Sequence, residues 1–344
     1  MTQTQTNTNL ALKKLKGIKS KGVKVKSKSS LEKLLEVHKT FMDEFKTAAW
    51  ISSIGALRTY FNTIGFANYQ LRDCEFSEFD LESFIQVIGS SYIPNSDLQS
   101  RFNGAYSGAL LSILTERNKE QNKRNFIYID GTNIKFDNLF LETKHADVVI
   151  VNDLSGNDIC SQFALGGSAT LLGGMYLSGN SIFHCVGNCD SVVGAVIGKV
   201  IYGTNLLNSN FTRGGLGTAV VLDDIYGSHV GNHFAWAGGY LGVLAARTVD
   251  SYRCFDNLCN VKKIIGVDIE GRGKFGKSDG RLRRTNRKHN KHINLKRAEP
   301  MFEYYADKYL LNTLLSLGFD LNDRDQVLEL TQPLYNHVRR KLKK

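Results

Sequence analysis

The residues with the most recognisable chemical spacing are Gly271–Ser278, GRGKFGKS, which carry the Gly-x4-Gly-Lys-Ser order of a phosphate-binding loop. In such a loop backbone N–H groups cradle phosphates, with Lys277 neutralising them and Ser278 holding magnesium. The following residues argue against it. A true loop opens an apolar helix pointed at the phosphate, whereas DGRLRRTNRKHNKH has no apolar face, and only 66 residues remain to build the rest of a nucleotide site. The segment therefore reads as a flexible basic glycine loop. Cys185-x3-Cys189 and Cys254-x4-Cys259 suggest a four-thiolate zinc site, which requires every sulfur about 2.3 Å from the metal. His229 and His233 have the separation of a metal pair on a helix, but they flank a turn. Asp223 and Asp224 invite comparison with the carboxylates of β-helical polysaccharide hydrolases, where a second carboxylate is needed about 5–9 Å away. The Gly-His-Gly run that accompanies such a pair is absent. No catalytic set assembles from these residues, so a non-catalytic role with no cofactor and no bound metal is expected.

Charge is the remaining signal. Arg272, Lys274, Lys277, Arg281, Arg283, Arg284, Arg287, Lys288, Lys291, Lys296 and Arg297 stand against Asp279 alone. They alternate with Asn and His rather than with aromatic residues, which suits phosphate contacts better than base stacking. Residues 1–28 add eight Lys and no acid, and the last eight residues add Arg339, Arg340, Lys341, Lys343 and Lys344. These stretches carry +23 of a net charge of +11, which leaves the rest of the chain near −12. Basic tails on an acidic body are the electrostatic footprint of a polyanion partner, most often nucleic acid. These eleven residues, Arg272 to Arg297, are the candidate nucleic-acid-binding set.

The body that carries the tails repeats. Aligning IDGTNI, LSGNDI, LSGNSI, IYGTNL, IYGSHV and VDSYRC places a small residue at Gly131, Gly156, Gly179, Gly203, Gly227 and Ser251, spaced 25, 23, 24, 24 and 24. Two residues earlier stand Ile129, Leu154, Leu177, Ile201, Ile225 and Val249; three residues later, Ile134, Ile159, Ile182, Leu206, Val230 and Cys254. A looser third column runs Leu139, Phe163, Val186, Phe211, Phe234 and Leu258. A period of this size, with β-branched and aromatic runs punctuated by Gly, predicts a right-handed parallel β-helix-like solenoid of about six coils, built of short strands joined by turns. At about 4.8 Å per coil the two cysteine pairs fall about 14 Å apart, too far for one zinc.

Helices are predicted on both sides. Ser30 is a good N-cap for LEKLLEVHKTFMDEFKTAAW, and Ser96 or Asp97 starts a second long segment. Downstream, MFEYYADKYLLNTLLSLG is stopped by Gly318, and RDQVLELTQPLYNHVRRKLKK follows. The fold class expected is α+β: a basic disordered tail over 1–29, a helical domain over 30–125, the solenoid over 126–270, a basic loop over 271–298 and a helical segment over 299–344. Helical segments suit the ends of a solenoid, where unpaired strand edges need covering. In its order of helices, central solenoid and helices the chain resembles the scaffold subunits of the SUF iron–sulfur assembly system, in architecture and not in any residue motif.

No signal peptide and no membrane span are visible, so an intracellular, cytoplasmic protein is expected, with organellar import as the alternative. The reading of function is a scaffold or structural protein associating with nucleic acid through basic tails. The alternatives are a protein-assembly or viral structural scaffold with protein partners, and a polysaccharide-active β-helix enzyme.

Overall fold

The computed structural model describes residues 28–45, 56–91, 94, 96–255, 258–272, 298–314, 316, 319–321 and 323–343. Among the described residues four helices come first: α1 (Ser30–Phe45), α2 (Ala56–Gln70), α3 (Glu78–Ser91) and α4 (Asp97–Glu120). The cap of α1 is Ser29, one residue before the Ser30 expected. Ser29 N–H donates to Glu32 Oε2 at 2.8 Å and Glu32 N–H donates to Ser29 Oγ at 3.2 Å, a reciprocal box that needs a side-chain acceptor three residues on. The Ser30 hydroxyl instead donates to the Glu75 carbonyl at 2.8 Å. Ser77 and Asp80 repeat the box at α3, and Ser96 caps α4 as expected.

Seven strands follow: β1 (Phe126–Asp130), β2 (His145–Asn152), β3 (Ser168–Ser178), β4 (Val192–Gly203), β5 (Leu216–Val230), β6 (Tyr240–Cys254) and β7 (Val261–Arg272). They form one parallel sheet in chain order, each strand one coil of the solenoid. The register Val149, Leu172, Val196, Val220, Leu244 stacks inward residues coil on coil. Leu154, Leu177, Ile201, Ile225 and Val249 are wholly buried, as are Ile159, Ile182, Leu206, Val230 and Cys254. The outward residues Val148, Leu171, Ala195, Ala219 and Val243 are buried too, under α5 (Ala298–Lys308), α6 (Leu311–Leu314) and α7 (Arg324–Leu342). Burial on both faces is why these strands read as nearly unbroken apolar runs.

The rest of each coil departs from the expected short strands and turns. From Asn205 to Arg213 every second residue has positive φ: Asn205, Leu207, Ser209, Phe211 and Arg213, all between +53° and +57°. Their N–H groups point alternately to the coil before and the coil after, Leu207 to Ile182, Ser209 to Asn232, Phe211 to Val186 and Arg213 to Trp236. The neighbouring coils show the same alternation at Asp158, Cys160, Gln162 and Ala164, and at Ser181, Phe183 and Cys185. Each such residue costs about 1–2 kcal/mol. These coil-to-coil hydrogen bonds offset the cost by turning every second peptide along the rod axis. Peptides between them are answered by asparagine: Thr212, Val186 and Asn232 N–H donate to the Oδ1 atoms of Asn188, Asn210 and Asn208 at 2.7–2.8 Å.

The N-terminal helices close the first coil. A Cβ on Gly104 would lie 2.1 Å from the Asn138 carbonyl and one on Gly108 2.3 Å from that of Leu141, so glycine lets α4 touch the coil backbone. Ser107 Oγ and Ser112 Oγ then accept from the N–H groups of Phe140 and Lys144. At the β1 edge, Glu82 Oε1 accepts from Tyr128 N–H at 2.9 Å and Gln86 Nε2 donates to the Asp130 carbonyl at 2.6 Å. Unpaired strand groups are thus met by side chains.

One buried carboxyl at this junction makes the fold pH-sensitive. Glu142, in the first arc, is 1% exposed and its Oε2 has no hydrogen-bond partner. Burial raises its pKa from 4.5 to about 7 against the pull of Arg101. The folded state therefore holds a proton that the unfolded chain releases between those values, so stability falls as pH rises through this window, by up to about 1.4 kcal/mol per pH unit. Glu142→Gln is expected to reduce that fall and to melt above the parent at pH 8. Identical pH slopes in urea or thermal unfolding of the two proteins would contradict the assignment.

Candidate nucleic-acid interface

Of the eleven basic residues singled out from the sequence, Arg272 is the last residue of β7. Lys274, Lys277, Arg281, Arg283, Arg284, Arg287, Lys288, Lys291, Lys296 and Arg297 lie outside the described residues, as do residues 1–27 of the lysine-rich start and Ser278, while Lys28 pairs with Glu36 at 2.6 Å. The C-terminal cations are described: Arg339, Arg340, Lys341 and Lys343 are exposed at the end of α7.

The first half of that helix is fastened to the start of the sheet. Arg124 Nη1 donates to the Leu328 carbonyl at 2.6 Å and to Gln332 Oε1 at 3.0 Å, and its Nη2 donates to Thr331 Oγ1 at 2.6 Å. The same guanidinium lies 4.5 Å from the Tyr335 ring centre, and Arg339 lies 5.6 Å from it. Arg324 Nη2 donates to the Arg124 carbonyl at 2.8 Å and pairs with Glu78 at 3.0 Å. Beneath this joint sits Asp147, buried, accepting from Asn125 N–H at 2.9 Å. Burial raises its pKa, while the Asn125 bond, Arg124, Lys119 and Arg339 pull it down. Next to it, His145 is driven down to about 4 by burial, then by Lys144 and Lys119, so it is neutral at pH 7. His337 is lowered by burial, then by Lys341 and Arg340. The acids nearby are Glu116, 3.7 Å from His145, and the exposed Glu120.

The other candidate residues have plainer surroundings. Asp223 is paired with Arg247 at 3.2 Å, and Arg247 also meets Glu299 at 3.3 Å, Glu303, and the face of Phe302 at 4.6 Å. This cluster fastens α5 to the sheet. His229 packs edge-on to Tyr252 and His233 edge-on to Trp236, so the two rings serve different neighbours. All six cysteines are free thiols, with Cys185 pushed up to about 11 by burial. Among the described residues no group of three or more His, Cys, Asp or Glu side chains is gathered as for a metal ion, and no helix is long and apolar enough to cross a membrane.

Sequence reasoning missed the joint itself. Lys119, Lys144 and Arg339 come from three separate stretches: Thr115 of α4 donates to the His145 carbonyl next to Lys144, and α7 brings Tyr335 and Arg339 to Arg124. In comparison with known proteins, the chain matches no family model, no curated protein and no solved structure.

Proposed function

We propose that the protein is a non-catalytic scaffold that holds nucleic acid by its phosphate backbone, with the basic segments as contacts and the solenoid as the rigid body carrying them. The observation that supports this is the segregation of charge, +23 in three short stretches against about −12 elsewhere. A polyanion partner would relieve the mutual repulsion within each basic stretch and release its own counterions on binding.

The test is a four-residue change, Arg283, Arg284, Arg287 and Lys288 to Ala, in the full chain. Log affinity against log salt is expected to flatten by up to about three or four units, at a slope of about −0.7 to −0.9 per phosphate, with sequence preference unchanged. An unaltered slope in fluorescence anisotropy would remove the segment from the interface. A protein-assembly scaffold is the second reading, favoured by aromatic residues exposed on the solenoid: Tyr176, Tyr202, Trp236 and Tyr252 are each about half exposed. Aromatic side chains are enriched where proteins bind proteins.

A further inference from the structure

We infer that Lys119, Lys123, Lys144, Arg339, Arg340 and Lys341 form a second, fixed phosphate-binding surface on the folded body, separate from the basic segments and fitted to a nucleic-acid backbone. The inference rests on the proposed function and names a site for it. Arg124 and Arg324 lock α7 onto the residues just before β1, so the cations at the end of that helix have a set position relative to Lys119, Lys123 and Lys144. Cations at a helix end are ordinary, because they complement the helix dipole. Here Arg124, which follows Lys123, and Arg339 share the Tyr335 ring, and Thr115, one turn before Lys119, donates to the carbonyl of His145, the residue after Lys144. The carboxylate beneath, Asp147, is buried and accepts from the Asn125 N–H. Lys119, Lys123, Arg339, Arg340 and Lys341 are exposed.

The chemistry of the surface selects among anionic partners. A membrane surface would ask for exposed apolar side chains beside the cations. Of the large hydrophobic residues that are exposed, only Leu342 belongs to this end of α7. Base stacking would ask for an open aromatic face, and Tyr335 has Arg124 and Arg339 at its ring. What is left is contact with backbone phosphates, which is strong in low salt and tolerant of sequence.

The experiment compares three full-length proteins by anisotropy with a short duplex at several salt concentrations: the parent, Lys119→Ala/Lys144→Ala/Arg339→Ala/Arg340→Ala, and the four-residue change in the basic segment described above. Lys119→Glu/Arg340→Glu, two exposed positions, serves as a second variant should half-buried Lys144 affect folding, and thermal melting checks both. The expected result is a salt slope flattened by up to about three units in the patch variant, and by about two in the charge-reversed pair, each in addition to the effect of the segment change. A parental slope in both patch variants with a flattened slope in the segment variant would overturn this inference and leave the proposed function standing. Loss of binding by the parent itself would overturn both. Patch-dependent binding to anionic phospholipid vesicles, with none to duplex, would also overturn it.

Discussion

Gly203→Ala is expected to destabilise the protein by more than about 3 kcal/mol, whereas Gly65→Ala is expected to be neutral or to stabilise it by up to about 1 kcal/mol. Gly203 has φ of +154°, and a Cβ there would lie 1.6 Å from the carbonyl oxygen of Gly179. Gly179 is itself pressed against Gly156, where a Cβ would meet the carbonyl at 1.8 Å, and Gly227 against Gly203 at 2.3 Å. The obstacle at each step is backbone of the preceding coil, so no rotamer change relieves it, and the coils must part. Gly65 in α2 has no atom within 4 Å of the added carbon, so only the helix preference of alanine is felt there. Urea unfolding of the two variants separates them, and a small cost at Gly203 would mean that the coils are not stacked glycine on glycine.

Ile182→Ala and Leu206→Ala should each cost about 2–5 kcal/mol, because both side chains are wholly enclosed in the tube and their removal leaves a cavity among fixed neighbours. Asn180→Ala and Thr204→Ala, at the surface of the same coils, should cost much less. Their side chains bond each other, Thr204 Oγ1 to Asn180 Oδ1 at 2.5 Å, in contact with solvent. Equal losses at the inner and outer positions in thermal or urea melts would show that the register is wrong.

The solenoid was legible because a stacked coil repeats its demands. Leu154, Leu177, Ile201 and Ile225 must all be aliphatic, and Gly156, Gly179, Gly203 and Gly227 must all lack a Cβ, so both columns stand out in the sequence at the coil period. The arcs left no such mark. Positive φ usually announces itself as Gly or Asn, but here Leu207, Phe211, Phe183 and Cys185 adopt it, selected by hydrogen bonds to coils above and below that no local pattern encodes. Asn188, Asn208 and Asn210 carried no sign of their role, which is to answer N–H groups one coil away with their amide oxygens. Helix α4 was legible as a helix, while its Gly104, Ser107, Gly108 and Ser112 stripe became a cap only once the first coil lay against it. Ser29 rather than Ser30 caps α1 because Glu32 reaches back to it. The basic segment was legible from composition, which carries charge but no geometry. The α4–α7 cations have geometry, yet their sequence positions gave no reason to join them.

Titration of the intact chain against duplex DNA, single strands and structured RNA, followed by anisotropy from low to moderate salt, bears on the nucleic-acid scaffold reading before any variant is made. Binding tighter than about 10 µM in low salt is predicted, weakening linearly in log–log terms by about 0.7 to 0.9 per phosphate neutralised and with little preference for sequence. Binding weaker than about 10 µM to all three in low salt would contradict it, since non-specific contact alone reaches about 10⁻⁴–10⁻⁶ M at physiological salt.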